Sequence, residues 1–235
     1  MRPRVGLGSQ GPAVRELQRL LNSNLNPCPG LAVDGVFGPV TARAVRRFQR
    51  EQWLVVDGIV GPCTWNALEH TEKYVILHRV DLVPQWTPST CWSAATAMIM
   101  GTQACMAPGD AAVGPSGGIY NDSELDDPVN MRRFAQFHGL TMLPPQTWTP
   151  DGLAGLLRSR PLMINTLWEV DEYLARRGSS GHMRVVAGIR GDGTGDGTTL
   201  RIYDPWPPNR GEIYSRIYGP FLREVPAATY QIFYR

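Results

Sequence analysis

The residue best placed for chemistry is a cysteine at the start of an apolar run. The stretch Pro84-Gln-Trp-Thr-Pro-Ser-Thr-Cys-Trp-Ser-Ala-Ala-Thr-Ala-Met-Ile-Met100 opens as a loop. From Cys91 onward, Trp92, Ala95, Ala97, Met98 and Ile99 predict a buried helix. Cys91 then lies in its first turn. A thiol normally titrates near 8.5, and a helix N-terminus or a neighbouring cationic histidine lowers that to about 3.5–7.5. Such a thiolate is a nucleophile at neutral pH. The alternative is a small buried structural cysteine, the commonest fate of this residue type. Gln85 lies six residues before Cys91, and an amide on that loop can donate to a developing oxyanion. One such donor is typically worth about 10²–10³ in rate.

A nucleophile of this kind needs a base. The chain has four histidines, His70, His78, His138 and His182. His138 follows the helix-like run MRRFAQF and precedes Gly139, so it reads as a cation at a helix C-terminus, favourable to the helix dipole. His182 opens the β-branched run Gly181-His-Met-Arg-Val-Val-Ala-Gly-Ile189. A glycine-rich turn follows at 191–197, and Thr198-Thr-Leu-Arg-Ile-Tyr-Asp-Pro-Trp206 returns as a second strand. A hairpin centred near residue 193 sets 182 opposite 204, and opposed residues share a face. Asp204 is thereby expected beside His182, where a carboxylate orients an imidazole.

The elements that must hold these residues come next. Tyr74–Val80 reads as a first strand, 150–158 as a capped helix, and Leu162–Asn165, Ile213–Tyr218 and Thr229–Tyr234 as further strands. Residues 108–128 are rich in Pro, Gly, Asp and Ser and read as a loop over a cleft, its Gly117-Gly118 pair as loop glycines. Cys105, just past the helix, is either a resolving thiol or structural. Trp92, Trp168 and Trp206 either line a cleft or fill the core.

The first seventy residues follow a different logic. Asp34-Gly-Val-Phe-Gly-Pro-Val-Thr41 returns as Asp57-Gly-Ile-Val-Gly-Pro-Cys-Thr64, and so clear a repeat signals a repeated structural unit. Asp-Gly makes a tight turn, and Gly-Pro ends one element and starts another. Thr41 and Thr64 are expected as helix N-caps. Val14, Leu17, Leu20 and Leu21 mark one helical face, and Ala42, Val45, Phe48 and Gln49 a second. With WNALEH after Thr64, three short helices are expected. Cys28 and Cys63 fall near the two turns, as a disulfide pair in an oxidising space or as two apolar fillers.

Two resemblances cover most of the chain. The pattern from Gly6 to Leu68 resembles the three-helix peptidoglycan-binding domain of bacterial and phage cell-wall enzymes, which implies a non-catalytic anchor for peptidoglycan. The alternative is the same fold serving as a plain interaction module. Over residues 80–206, Gln85 with Cys91-Trp92, then Gly181-His182 with Val185-Val186, then Tyr203-Asp204-Pro205-Trp206 resemble papain-fold bacterial cysteine peptidases, of the bacteriocin-processing and effector-protease kinds. That resemblance implies Gln85 as oxyanion donor, Cys91 as nucleophile, His182 as general base and Asp204 as orienting residue. The expected fold class is α+β: a helical domain over 1–70, and over 71–235 a papain-like domain with a helical lobe packed on an antiparallel sheet.

Composition bounds the rest. The chain has 235 residues, 43% apolar and 19% charged, with a formal net charge of +2. This excludes a disordered chain and removes the electrostatic footprint of a nucleic-acid binder. No apolar run is long enough for a membrane span. Residues 1–70 carry eight arginines against five acids, and the remainder 15 basic against 16 acidic residues. Neither CxxC nor HExxH occurs, so no metal or other cofactor is expected. The start MRPRVGLGSQGPAV lacks the apolar core of a secretory signal. Either the protein stays in the cytosol, or it leaves by a signal-less route, or a signal has been removed. With the wall-binding resemblance, export without a classical signal is expected, by a secretion machine or phage delivery, with action in a target cell's wall, periplasm or cytoplasm. The function expected is hydrolysis of peptide or amide bonds, in peptidoglycan stem peptides or in a protein, with an immunity protein as a further partner. A wall-binding protein with an inactive second domain is the rival reading.

Overall fold

The computed structural model describes residues 2–88, 90–102, 128–167, 181–225 and 230–235. Cys105, Gly117, Gly118, Trp168 and nearly all of the stretch 108–128 lie outside them. The chain divides into two compact units.

The first unit comprises Met1–Val75, Arg190–Leu200 and Ser215–Gly219. Its helices are α1 (Pro12–Asn24), α2 (Pro39–Glu51) and α3 (Pro62–Glu69). Each begins with proline directly after a glycine N-cap. Thr41 and Thr64 are therefore not caps: α2 is capped at Gly38 and α3 at Gly61, and both threonines sit buried in the first turn. Proline's fixed φ and missing N–H suit the first helical position, so Gly-Pro starts each helix two residues before the threonine. The expected faces close on one core. Leu17, Leu21, Val45 and Phe48 pack with Phe37, Val60, Trp65 and Leu68.

The repeated Asp-Gly turns are held by a repeated clamp. Gln18 Nε2 donates to Asp34 Oδ1 at 2.8 Å and to the Val36 carbonyl at 3.2 Å, while its Oε1 accepts from Gly35 N at 2.9 Å. Gln49 repeats this with Asp57 Oδ1, the Ile59 carbonyl and Gly58 N, each at 2.9 Å. Gly35 and Gly58 have φ of 81° and 78°, a region where side chains are strained.

The tip of a hairpin from later in the chain completes this unit. Arg190 reaches Glu72 through two bonds of 2.6 and 2.7 Å, donates to the Gln52 carbonyl and lies 5.0 Å from the Trp53 ring centre. Asn66 donates to Asp192 Oδ2 at 2.8 Å, and Ser215 to the Trp53 carbonyl at 2.6 Å.

The second unit comprises Ile76–Ile189, Arg201–Tyr214 and Pro220–Arg235. The strands are β1 (Tyr74–Leu77), β2 (Thr141–Gln146), β3 (Leu162–Leu167), β4 (Gly181–Gly191), β5 (Thr198–Asp204), β6 (Glu212–Ile217) and β7 (Tyr230–Tyr234). They form a sheet in the order β2-β7-β3-β4-β5-β6, with β1 also paired to β4. Both β3 neighbours are antiparallel, with Thr166 opposite His182 and Met163 opposite Phe233. The helices are α4 (Cys91–Met100), α5 (Pro128–Phe137), α6 (Pro150–Leu157) and α7 (Tyr218–Arg223).

Helix α4 is buried along nearly its whole length, which its small and apolar residues permit. Trp92, Ala95 and Met98 share a core with Val83, Phe134, Met163, Val185 and Phe233. Strand β2 carries no alternating pattern and two prolines. Its register with β7 shifts between Leu143 and Gln146, across Pro144 and Pro145, because proline cannot donate to the ladder. At Gly188 in β4 a Cβ would lie 2.7 Å from the Ile76 carbonyl, so only glycine lets β1 pass so close. His138 directly follows α5, as expected, but its surroundings disfavour a cation. Its ring packs edge-on to Phe134 and Phe137, and burial lowers its pKa.

Candidate active site

Cys91 is the first residue of α4 and only 1% exposed. Its Sγ accepts a hydrogen bond from Met183 N at 3.4 Å, and Met183 directly follows His182 on β4. The start of the helix and the start of the strand are thus tied at the sulfur. An N–H aimed at sulfur, together with the dipole of a helix N-terminus, favours the thiolate.

His182 is 4% and Asp204 7% exposed. His182 Nε2 lies 2.7 Å from Asp204 Oδ1. Asp204 ends β5, and its Oδ1 also accepts from Trp206 N at 2.9 Å. This is the Asx turn that an aspartate two residues before a backbone N–H forms. Burial pushes the Asp204 carboxyl up. The bond and charge of His182, the Trp206 N–H and the Arg184 charge outweigh that and hold it below its ordinary value. An ionised carboxylate only accepts, so Nε2 carries a proton and donates to Asp204 Oδ1. The turn of the hairpin closes between Asp192 N and the Gly197 carbonyl, so its centre falls beyond residue 193.

Gln85 is fully buried. Its backbone N–H donates to the Pro205 carbonyl at 3.1 Å, and its carbonyl accepts from Asn209 N at 2.8 Å. The loop before Cys91 is therefore laced to the segment after Asp204. Its side-chain Nε2 donates to the Thr87 carbonyl at 2.6 Å, which uses one of the two amide protons. Trp86 stands beside it, 47% exposed. Trp92 belongs to the core, and Trp206 is half-buried.

Sequence reasoning missed the layer behind the carboxylate. Tyr214 on β6 donates to Asp204 Oδ2 at 3.0 Å, and Arg184 on β4 reaches the same Tyr214 hydroxyl at 3.0 Å. Arg184 also donates to Thr166 Oγ1 at 2.7 Å. The signal for Arg184 was present, since residues two apart on a strand share a face. Tyr214 carries no such signal, because its place depends on β6 lying next to β5. Of the other histidines, His78 Nε2 contacts the Leu157 carbonyl at 2.5 Å, and His70 caps α3 in the left-handed conformation. Among the described residues no group of three His, Cys, Asp or Glu side chains could hold a metal ion. Among them, too, no helix is long and apolar enough to cross a membrane.

A buried cysteine at a helix start, a histidine–aspartate pair on a neighbouring sheet and a three-helix unit ahead of them define a papain-like protein joined to a wall-binding module. Comparison with known families gives the same two parts. Residues 10–68 match a peptidoglycan binding domain. Residues 72–218, more than half of the chain, match the papain-like cysteine protease AvrRpt2 family, and the chain belongs to that family. No curated protein matches. Among solved structures, the Burkholderia AP3 phage endolysin is similar at 38% identity over 29% of this chain and 25% of its own, with a TM-score of 0.26. The N-terminal domain of SleB is similar at 37% identity over 30% of this chain and 94% of its own, with a TM-score of 0.28. The chain thus spans about a quarter of the endolysin.

Proposed function

We propose that the protein is a cysteine peptidase held at the bacterial wall by its N-terminal domain, cleaving stem peptides of peptidoglycan. The observation that carries this reading is the buried His182–Asp204 contact of 2.7 Å, with His182 on the strand whose next N–H meets Cys91. In this reading Cys91 Sγ attacks the scissile carbonyl carbon and its proton passes to His182. The tetrahedral intermediate collapses as His182 protonates the departing amine. Water, deprotonated by His182, then attacks the thioester, releasing the acid and restoring Cys91. Asp204 holds the ring and stabilises the imidazolium. Gln85 supplies its second amide proton to the oxyanion.

The peptidoglycan-binding domain favours wall peptide as substrate. A papain-like site hydrolyses peptide bonds in general, so a protein met at or beyond the envelope is the second reading. Delivery as an antibacterial effector or lysin, with an immunity protein in the producing cell, is the biological setting in which this pairing makes sense.

Mass spectrometry of purified muropeptides incubated with the protein, beside Cys91→Ala, tests the proposal. Fragments from the wild type alone establish a wall peptidase and name the bond. No fragments, with Cys91 still alkylated rapidly by iodoacetamide at neutral pH, turn the assignment to a protein substrate. No fragments and a Cys91 as slow as an ordinary buried thiol leave a wall-binding protein without hydrolase activity.

A further inference from the structure

We propose that Tyr214, oriented by Arg184, is a positioning residue of the site: it fixes the Asp204 carboxylate and, through it, the His182 ring. This rests on the cysteine–histidine–aspartate reading above.

The direction of the chain of hydrogen bonds follows from the chemistry of its members. Arginine only donates, and the Arg184 Nη1 to Tyr214 Oη contact of 3.0 Å makes the hydroxyl an acceptor there. A hydroxyl has one proton, and a carboxylate only accepts. The Tyr214 proton therefore goes to Asp204 Oδ2, 3.0 Å away. Arg184 is fixed at its other end by Thr166 Oγ1 at 2.7 Å, and Thr166 lies directly opposite His182 across β3 and β4. The relay starts and ends at the same rung of the sheet.

Both oxygens of Asp204 are thereby engaged. Oδ1 takes His182 Nε2 and Trp206 N, and Oδ2 takes the Tyr214 hydroxyl. A carboxylate held by Oδ1 alone can rotate about its Cβ–Cγ bond. The bond to Oδ2 removes that freedom and keeps Oδ1 in line with the imidazole. Burial raises the Tyr214 pKa, and the Arg184 charge only partly offsets this, so the phenol stays protonated and remains a donor. Among the described residues, the charged and titratable groups that act on Asp204 are His182 and Arg184 from β4 and Tyr214 from β6.

Loss of the Tyr214 donor lets Asp204 take a proton at higher pH. A protonated Asp204 no longer supports the His182 imidazolium, and the thiolate of Cys91 is lost with it. The readout is the pH profile of Cys91 alkylation by iodoacetamide, followed by peptide mapping so that each cysteine is scored separately; it needs no substrate. In Tyr214→Phe, which keeps the ring, the acid limb of the Cys91 profile is expected to move up by about half a pH unit or more. Arg184→Gln should move it in the same direction and serves if the phenylalanine variant is poorly folded, as judged by its melting temperature. A profile for both variants that superimposes on wild type overturns the positioning role while leaving the nucleophile in place. A wild-type limb near the ordinary thiol value of about 8.5, unmoved by His182→Ala, overturns the nucleophile and the positioning role together.

Discussion

His182 Nε2 and Asp204 Oδ1 meet at 2.7 Å with both side chains almost wholly buried, and the other oxygen of that carboxylate is held by Tyr214. The bond does two things for the imidazole: it stops the ring from turning, and it sets the tautomer of the neutral ring, in which the proton on Nε2 leaves Nδ1 basic. Asp204→Asn would present an amide whose NH₂ can face the ring and select the wrong tautomer. The expected loss in peptide hydrolysis is about 10²–10⁴-fold, with the melting temperature changed far less than the rate. Steady-state kinetics on a cleaved peptide, beside a melting curve, check this. Equal turnover by the asparagine variant would remove Asp204 from the mechanism.

The same carboxylate makes the fold acid-sensitive. Burial alone would raise the pKa of Asp204, but its hydrogen bonds and the His182 and Arg184 charges bring it below the ordinary carboxylate value in the folded state. A group depressed on folding stabilises the native state above its unfolded pKa and loses that contribution as pH falls through its folded one. Asp34 and Asp192 are depressed as well, Asp34 chiefly by the Val36 N–H and Asp192, against its burial, by Thr194 and Asn66. Stability should therefore fall steadily as pH drops below about 4. In urea titrations Asp204→Ala should show a shallower fall than wild type. A wild type equally stable at pH 3 and pH 6 would contradict the assignment.

What could be read from the chain, and what could not, divides along physical lines. The α1 and α2 faces, the α4 helix and the two hairpin strands were legible because burial imposes a period on neighbouring residues. The positions of Cys91, His182 and Asp204 at the ends of their elements were legible for the same reason, and the contact of His182 with Asp204 was expected, although the hairpin centre lies beyond residue 193. The N-caps at Thr41 and Thr64 were misread because proline at the first helical position outweighs a threonine two residues on. Strand β2 was missed because Pro144 and Pro145 break its pattern. Helix α7 gave too short a run to show a face. Tyr214 was missed for a different reason: its partner lies on a neighbouring strand, and strand order is decided by packing across the whole sheet.

The repeated glutamine clamp predicts a stability effect confined to the first unit. Gln49 is buried, and its amide serves Asp57, Gly58 and the Ile59 carbonyl together. Gln49→Ala would strip the buried Gly58 N–H of the Gln49 acceptor and the Ile59 carbonyl of one of its two donors, the other being Thr64 Oγ1, at about 1–3 kcal/mol for a group left unsatisfied. A total loss of about 2–4 kcal/mol is expected in denaturant unfolding followed by Trp65 fluorescence. A loss below about 0.5 kcal/mol, the level of an ordinary surface change, would mean that water replaces the clamp.

The two cysteines of the first unit should behave as unlike thiols. Cys28 is exposed, whereas Cys63 is buried in α3 and donates to the Asp196 carbonyl at 3.1 Å. The two do not pair, although their positions near the two turns suggested that they can. Burial pushes the Cys63 thiol up to about 11, with the nearby Asp192 and Glu72 charges acting in the same direction. At pH 8 only about one Cys63 in a thousand would be thiolate, and the thiolate is the reacting species. Iodoacetamide at pH 8 should therefore label Cys28 in the folded protein well before Cys63, and both at similar rates in urea. Peptide mapping at timed intervals measures this. A Cys63 as fast as Cys28 in the folded state would mean that α3 opens readily, and a peptide carrying both residues cross-linked without reductant would mean that the native protein brings them together.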